Sequence, residues 1–403
     1  MAKRKQFDVI VVGGGLVGSA FAAALASTSL EIALIEPRVP AFPPPAEGDW
    51  DARVYALSPA SAKFMQTLGM WDELDATRLT PVRRMQIYGD EHGSMRPASI
   101  NFDAMATGVP ELAWIVESGA LHCRLWRGLE RQKNLTLLCP ARCEMLELDV
   151  EKEGGRVNLS LAGGVRLEAD LVVGADGAHS WLRQAAGLVA RDRPYHQVGV
   201  VANFATTREH TGTAYQWFRP EGTLAYLPLP GKRISIVWAA AVDYANELLA
   251  LPPAQLSARV AEAGGYALGD LTMLTAAQGF PLRLLTVTQT VTSGLALIGD
   301  AAMVVHPLAG QGVNLGFADA QALAGTLASR ELYRGCGDHR LLRRYERGRR
   351  EDRFALECVT DGLQRLFGSE NSALRKIRNR GLELADALPV IKNLLARRAF
   401  GHA

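Results

Sequence analysis

Cysteine is scarce in this sequence, whose 403 residues include only five, an odd number. Cys139 and Cys143 lie close together, but no second cysteine pair or histidine cluster accompanies them to complete a metal site. We therefore expect no metal centre, and we expect reduced thiols, as in a cytoplasmic protein.

Net charge is also small, at +2, which excludes a global polyelectrolyte role and argues against a nucleic-acid partner. The charge is unevenly distributed, because residues 331–403 hold 16 Lys and Arg against 10 Asp and Glu. Basic amphipathic helices in this region would contact a membrane surface or a partner protein. The alternative is a solvated helix whose long basic side chains lie over apolar surface.

The chain has no long apolar run without an interruption. Residues 9–26 carry no charge over 18 positions, but three consecutive glycines divide them and no signal-cleavage sequence follows. A strand, a tight turn and a buried helix explain this segment better than a transmembrane helix does. Internal repeats and low-complexity segments are absent as well, and the length favours two closely joined domains.

Near the N terminus a glycine-rich turn lies between a predicted strand and a predicted helix. The β-branched run Phe7–Val12 predicts the strand, and residues 19–27 predict the helix. Between them, Gly13-Gly14-Gly15-Leu16-Val17-Gly18 fits the pattern G-x-G-x-x-G. A second strand over residues 31–35 ends at Glu36.

This context favours a dinucleotide site over a structural turn. Gly13 would make the turn, Gly15 would admit a pyrophosphate, and Gly18 would let the helix pack closely on the strand. Glu36 would accept hydrogen bonds from ribose hydroxyls.

Two further predicted strands lead to acidic residues. Residues 171–174 precede Asp176, and residues 295–298 precede Asp300. Ligands of doubly wound sheets collect at such strand ends, where a carboxylate can accept two hydrogen bonds at once. For Asp176 a helix N-cap is the alternative. The helix that begins after Gly312 would direct its free N–H groups at an anion.

Arg53 follows an extended proline-rich loop and precedes Ser58, which we expect to cap a helix that runs to about Leu68. Its guanidinium would hold a diphosphate through two hydrogen bonds, or it would form a surface ion pair. The residues alone leave both interpretations open.

The middle of the chain predicts a second sheet. Short alternating segments at residues 198–204, 213–218, 224–228 and 234–239 are separated by turns, as in an antiparallel sheet. Trp217, Tyr226 and Trp238 would line a pocket under this sheet or belong to its core. The expected fold class is α/β, with a Rossmann-type dinucleotide-binding domain, an inserted antiparallel-sheet substrate domain and a helical C-terminal tail.

Three motifs stand in order along the chain: the glycine motif with Glu36, then Gly174-Ala175-Asp176-Gly177, then Gly299-Asp300-Ala301-Ala302. Together they resemble the class A flavoprotein aromatic hydroxylases, which have the para-hydroxybenzoate hydroxylase fold. The segment His306-Pro307-Leu308-Ala309-Gly310-Gln311-Gly312-x-Asn314-x-Gly316-x-x-Asp319 is similar to the signature of one branch, the ubiquinone-biosynthesis hydroxylases. Three further segments look like that branch: Asp51-x-Arg53-x-x-Ala56-Leu57-Ser58, Val116-Glu117 and Leu374-Arg375-x-x-Arg378-Asn379-x-Gly381-Leu382.

The resemblance implies FAD as the bound cofactor and NAD(P)H as a co-substrate that docks transiently. The glycine motif would receive the pyrophosphate, Glu36 the adenosine ribose and Asp300 the ribityl chain. Arg53 would lie on the dinucleotide, and Asp176 belongs to a motif implicated in both FAD and NAD(P)H contact. The residues expected around the flavin pyrimidine edge are Gly310, Gln311, Gly312, Val313 and Asn314.

Three other positions are left open. His306 would lie beside the flavin, either as an acid or base or as a residue that fixes the turn, so no catalytic residue is assigned. Ser118 and Met303 depart from the family pattern, which leaves their roles undefined.

The implied activity is an FAD-dependent monooxygenase that hydroxylates the aromatic ring of a polyprenylated ubiquinone precursor with O2 and NAD(P)H. The alternatives are a related hydroxylase of a soluble aromatic metabolite and a non-catalytic FAD-bound scaffold subunit. We expect a cytoplasmic protein, either free or peripheral at the inner face of the membrane, whose C-terminal helices contact the membrane or a ubiquinone-biosynthesis complex. The FAD-binding domain would comprise residues 1–80, 111–190 and 286–335; residues 81–110 and 191–285 would form the substrate domain, and residues 336–403 the basic helical region.

Overall fold

The computed structural model describes residues 5–42, 50–89, 98–148, 156–306 and 311–367. The strands are β1 Lys5–Val12, β2 Ile32–Ile35, β3 Val54–Leu57, β4 Thr80–Val82, β5 Arg84–Tyr88, β6 Ser99–Asp103, β7 Ala113–Glu117, β8 Leu135–Leu138, β9 Cys143–Leu148, β10 Val157–Leu161, β11 Arg166–Gly174, β12 Ala190–Thr206, β13 Thr213–Arg219, β14 Gly222–Leu229, β15 Arg233–Ala241, β16 Leu271–Met273, β17 Gln278–Val287, β18 Val291–Thr292, β19 Leu295–Leu297 and β20 Met303–Val304. The helices are α1 Leu16–Ala24, α2 Pro59–Thr67, α3 Ser118–Glu130, α4 Trp181–Ala185, α5 Val242–Ala250, α6 Pro253–Ala263, α7 Gly312–Ala328 and α8 His339–Phe367.

The first sheet is parallel along its centre, in the order β19-β11-β1-β2-β8. Its central strands are buried on both faces, because Val9 and Val11 enter a core with α1, α3 and α7, whereas Ile10 enters a second core with β10 and α4. Continuous apolar strands of this kind are typical of a sheet that is covered on both sides. The predicted α/β class with a Rossmann-type unit is confirmed.

The second sheet has the order β20-β17-β12-β15-β14-β13-β5-β6. Apart from the parallel pair of β13 and β5, the neighbours in this order run antiparallel, as predicted. Alternate side chains point to opposite faces. Tyr226 and Trp238 enter a core beneath α5 and α6, and Trp217 packs against the same core. Tyr226 and Trp238 are therefore core residues, the second of the two predicted alternatives, and the half-buried Trp217 packs at the edge of that core.

A small sheet of β3, β7 and β4 joins the two larger ones. Ala113 and Ile115 of β7 share a core with Ala214 and Leu229 of the second sheet. The strand β7 then leads into α3 of the first core. This connection holds β3, which follows Arg53, between the two domains.

From Gly312 to Phe367 the described chain consists of the helices α7 and α8 and a short connection between them. The helix α8 packs on α7 and contacts β18. The C-terminal motif Leu374–Leu382 and the remaining residues to Ala403 lie outside the described residues. Among the helices that the structure describes, none combines the length and the apolar character needed to cross a membrane.

Candidate functional site

Four parallel strands bring the predicted site residues to one edge of the first sheet. Glu36 follows β2, Gly13 follows β1, Asp176 follows β11 and Asp300 follows β19. Since these strands are neighbours in the order β2-β1-β11-β19, their carboxyl ends face the same side. Strands lie about 4.8 Å apart, so Glu36 and Asp300 mark the ends of a track of roughly 14 Å.

The glycine motif leaves almost no space at two positions and open space at a third. Gly13 has φ +106°, and a Cβ there would lie 2.5 Å from the Ala175 carbonyl oxygen. A Cβ at Gly18 would lie 2.0 Å from the Gly13 carbonyl oxygen. At Gly15, the N-cap of α1, no atom of the described chain lies within 4 Å of the Cβ position. A ligand can approach the backbone at Gly15, whereas Gly13 and Gly18 hold the turn against the sheet.

Glu36 supports the same turn. Its Oε2 accepts from the Gly14 N–H at 2.8 Å, and its Oε1 accepts from the Arg38 N–H at 3.1 Å. Two residues that the sequence did not indicate also contact Gly14. His122 Nε2 lies 2.7 Å from the Gly14 carbonyl oxygen, and Ser19 Oγ donates to that oxygen at 2.9 Å.

Asp300 lies near Arg53 and Tyr55, and we call the space beside these three residues the cleft. The carboxylate is exposed to the cleft, yet the surrounding protein withdraws it from bulk water, and this burial raises its pKa while Arg53 opposes the rise. Burial likewise raises the pKa of Tyr55, whose hydroxyl hydrogen-bonds Ser118. Tyr55 was not predicted as a site residue, because only the folded chain places it beside Asp300.

Arg53 stacks on aromatic rings. Its guanidinium lies 5.3 Å from the ring centre of Tyr55 and 5.4 Å from that of Phe280. Within the described ranges no carboxylate lies at ion-pairing distance from its guanidinium. The cation remains available to an anionic ligand in the cleft.

Asp176 is occupied by the helix that follows it. Its Oδ1 accepts from Ser180 Oγ at 2.5 Å, and its Oδ2 accepts from the Leu182 N–H at 3.0 Å. The N-cap of α4 is Ser180, so Asp176 is not the N-cap itself but supports it and accepts from the helix. The adjacent Arg183 is buried and donates to the carbonyl oxygens of Ala178 at 2.8 Å and Ala301 at 2.9 Å, which ties the Asp176 loop to the Asp300 loop.

The start of α7 presents backbone rather than side chains. No atom of the described residues lies within 4 Å of the Cβ position at Gly312, whereas Val313 is buried in the first core. The Asn314 side chain accepts from the Ser58 N–H at 2.9 Å and donates to the Ala56 carbonyl oxygen at 2.8 Å. Asn314 thus fastens α7 to β3 and α2. Gln311 is the N-cap of α7, and Gly310 lies outside the described residues.

His306 is buried and uncharged at neutral pH, because burial lowers its pKa to about 4. Its Nε2 lies 3.0 Å from Gln197 Oε1, and its ring makes an edge contact with Tyr195. A ring with this pKa is not a charged acid at neutral pH, and the contacts with Gln197 and Tyr195 fix its position. Met303 packs with Val305 and Leu315 in a small core.

The face of the second sheet opposite Trp238 is a wall of small and medium apolar side chains. Half-buried apolar residues on this face are Val201, Val237 and Ala225, which pair across β12, β15 and β14, and Leu227, which pairs with Ser235. Asn203 on the same face donates to the Asp51 carbonyl oxygen at 2.9 Å, so the wall turns toward the segment that carries Arg53 and Tyr55.

Comparisons with known proteins cover nearly the whole chain. Residues 6–359 match the family model described as FAD binding domain. The chain is 35% identical over 395 residues to the 3-demethoxyubiquinol 3-hydroxylase of Escherichia coli K12, and the match covers 98% of each protein. It is 34% identical over 398 residues to the ubiquinone hydroxylase UbiL of Rhodospirillum rubrum, covering 98% of this chain and 90% of that protein.

A solved structure has the same fold. The crystal structure of PqsL, a probable FAD-dependent monooxygenase from Pseudomonas aeruginosa, matches with a TM-score of 0.78 and 21% identity. The match covers 94% of this chain and 99% of that one. The predicted fold class is therefore confirmed over both domains.

Proposed function

The chain belongs to the family of FAD-dependent hydroxylases of ubiquinone biosynthesis, and from this premise we propose that it hydroxylates the aromatic ring of a polyprenylated ubiquinone precursor. FAD is the bound cofactor, and NAD(P)H and O2 are the co-substrates. The full-length similarity to two proteins named as hydroxylases of ubiquinone or a ubiquinol carries the choice of substrate class.

The residues along the sheet edge fit an extended FAD. Gly15 and Gly312 each stand at the start of a helix, and no described residue fills the Cβ position of either, so backbone N–H groups can reach phosphate and flavin oxygens. We assign the glycine motif to the pyrophosphate, Glu36 to the adenosine ribose and Asp300 to the ribityl chain. Arg53 would contact the dinucleotide, Asp176 would act through its helix cap, and the pyrimidine edge would meet the backbone of residues 310–314.

When bound, FAD supplies the activation of O2 and the transfer of one oxygen atom to the ring. The N–H groups at the start of α7 stabilise negative charge at the pyrimidine edge without donating a proton outright. The apolar wall that includes Val201 and Val237 excludes water from the reacting atoms. Gln197 holds the His306 ring in place, and we propose a structural role for His306.

A direct test uses purified protein loaded with FAD. We expect NAD(P)H oxidation to rise when a prenylated phenol is added, and we expect the product to carry one oxygen from isotopically labelled O2. Mass spectrometry of a strain that lacks the protein should show an under-hydroxylated quinone precursor. Failure to bind FAD, or stimulation only by phenols without a prenyl chain, would overturn the proposal.

A basic surface on α8 supports a peripheral location for this activity. Its residues line a cavity of about 400 Å³ and are Arg334, His339, Arg340, Arg343, Arg344 and Arg347. Leu332 beside this cavity is fully exposed, and Tyr333 is 79% exposed. Phe354 is 66% exposed and lies two helical turns after Arg347, on the same side of α8.

Arg334, Arg343 and Arg344 form ion pairs with nearby carboxylates. Among the described residues this leaves Arg340 and Arg347 as the cations that would bind phosphates of an anionic membrane surface, while the exposed apolar groups enter the interface. We propose that this surface holds the enzyme at the membrane that contains its prenylated substrate. A basic side chain near such a surface contributes about 1 kcal/mol, so removing two predicts roughly 30-fold weaker binding.

Vesicles of phosphatidylcholine, with or without phosphatidylglycerol, test this surface by co-sedimentation. We expect the pair Arg340→Glu and Arg347→Glu to abolish the preference for anionic vesicles. The pair Arg127→Glu and Arg142→Glu makes the same charge change on exposed positions of other elements and should retain it. Equal binding by both pairs would favour a partner protein as the ligand of α8.

A further inference from the structure

Asp319 is a carboxylate with no exposure to solvent that is shared by two arginines of α8. Its Oδ1 accepts from Arg349 Nε at 2.8 Å, and its Oδ2 lies 2.9 Å from a terminal nitrogen of Arg353. Both arginines are buried as well. A buried ion pair adds little net stability compared with apolar packing, so its main effect is to specify one arrangement of the groups that it joins.

The same carboxylate holds the turn that presents Asp300. Asp319 Oδ2 accepts from the Gly299 N–H at 3.2 Å. Gly299 has φ +59°, in the left-handed region, and the next residue is Asp300. The direction in which Asp300 leaves β19 is therefore set by a bond from α7.

The arginines also brace the strand on the other side of this turn. Arg353 donates to Tyr345 Oη at 2.7 Å and to Thr290 Oγ1 at 3.1 Å. Tyr345 Oη donates to the Leu297 carbonyl oxygen at 3.1 Å. Thus α8 contacts the end of β19 directly through Tyr345. It reaches the turn after β19 indirectly, because Arg349 and Arg353 hold Asp319 of α7, which binds that turn.

We propose that Asp319 is a positioning residue for the cofactor, which it serves by fixing the Gly299–Asp300 turn together with Arg349 and Arg353. The docked helix α8 is then part of the FAD site although its described residues lie behind the turn. This inference rests on the proposed function, which places Asp300 on the ribityl chain.

A double-mutant cycle tests whether Asp319 acts through Asp300. The FAD dissociation constants of Asp300→Asn, Asp319→Asn and the double variant are measured on apoproteins by quenching of flavin fluorescence, at a temperature where circular dichroism shows all of them folded. We expect each single change to raise the dissociation constant about tenfold or more, and the double change to add little beyond the larger single effect. Additive losses would overturn the inference.

The control is Asp338→Ala, at the other end of α8. Asp338 accepts from the Leu341 N–H at 2.9 Å and from Arg334 at 2.7 Å, so its loss weakens the same helix without touching Gly299. We expect Asp338→Ala to leave FAD affinity within about twofold and the visible circular dichroism of the bound flavin unchanged, whereas Asp319→Asn alters both. An equal loss in the control would mean general loosening of α8 and would refute the positioning role.

If Asp319→Asn alone fails to fold, Asp319→Asn combined with Arg349→Met removes one buried charge of each sign. Parental FAD affinity in this pair would overturn the inference. These measurements distinguish the inference from the proposed function. Weaker FAD binding by Asp300→Asn together with parental FAD binding by Asp319→Asn refutes only the inference. Parental FAD binding by Asp300→Asn refutes the placement of Asp300 on the ribityl chain, on which both rest.

Discussion

One added methyl group should weaken FAD binding at Gly15 and destabilise the apoprotein at Gly18, although both glycines belong to the same motif. In Gly15→Ala the backbone, at φ −69° and ψ −174°, is ordinary extended backbone for alanine, and the new Cβ meets open space. The apoprotein should lose about 1 kcal/mol or less of unfolding free energy, the usual range for a helix N-cap. The methyl group would, however, occupy the position that we assign to the pyrophosphate, so FAD affinity should fall more than about 100-fold, or roughly 2.7 kcal/mol.

In Gly18→Ala the new Cβ would stand 2.0 Å from the Gly13 carbonyl oxygen and 3.0 Å from Ala175 Cβ. Overpacking of this kind costs about 1–3 kcal/mol, and a backbone oxygen cannot move aside without distorting the turn, so the upper end is expected. Denaturant titration of the apoproteins and FAD titration separate the two effects. The reasoning fails if Gly15→Ala destabilises the apoprotein as much as Gly18→Ala does, or if it binds FAD like the parent.

Three further predictions concern pH, the apolar wall and the packing of α1 against α7. Burial lowers the pKa of His306 to about 4, so as pH falls the unfolded chain binds a proton at this histidine before the folded chain does. The unfolding free energy should therefore be constant above about pH 6.5 and fall by up to about 3 kcal/mol by pH 4. His306→Gln should remove that part of the slope in denaturant titrations, and an unchanged slope would contradict the assignment. Val237→Phe should lower turnover of a prenylated phenol roughly 100-fold by displacing the substrate ring, while FAD affinity stays at the parental value. An equally large loss of FAD affinity would contradict the assignment of Val237 to the substrate wall. A Cβ at Gly316 would lie 2.4 Å from Val17 Cγ2, so Gly316→Ala should lower the unfolding free energy by about 1–3 kcal/mol. Adding Val17→Ala should recover part of this loss in thermal unfolding of the apoproteins. Strictly additive losses of stability would refute direct contact between the two residues.

The parallel strands were predictable because local signals agree at each of them. The runs that became β1, β2, β11 and β19 are apolar and end at a glycine or an acidic residue, which is how buried parallel strands with functional ends read in sequence. Ser58 likewise caps α2 through the Ser61 N–H, as predicted.

The second sheet was harder to predict because one of its long strands breaks the local rules. Gln278–Val287 contains Gly279 and Pro281, which argue against a strand, yet as β17 it pairs with β12 over most of its length. The helices α5 and α6 that follow β15 were also not predicted. Without those helices, alternation shows that Tyr226 and Trp238 share a face but not which face is covered, so their place in the core depends on tertiary structure.

The three acidic residues at the strand ends have similar sequence contexts, but they differ in their hydrogen bonds in the folded protein. Glu36 accepts from two N–H groups of neighbouring turns, and Asp176 accepts from a hydroxyl and an N–H of α4, so the protein itself satisfies much of their capacity. Across the described residues, Asp300 accepts no such bond, and its neighbours in the cleft are Arg53 and Tyr55. A partly desolvated carboxylate without donors is unfavourable as an anion, which is why its pKa rises. The hydroxyls of a ribityl chain would supply the missing donors, so binding and ionisation of Asp300 should support each other.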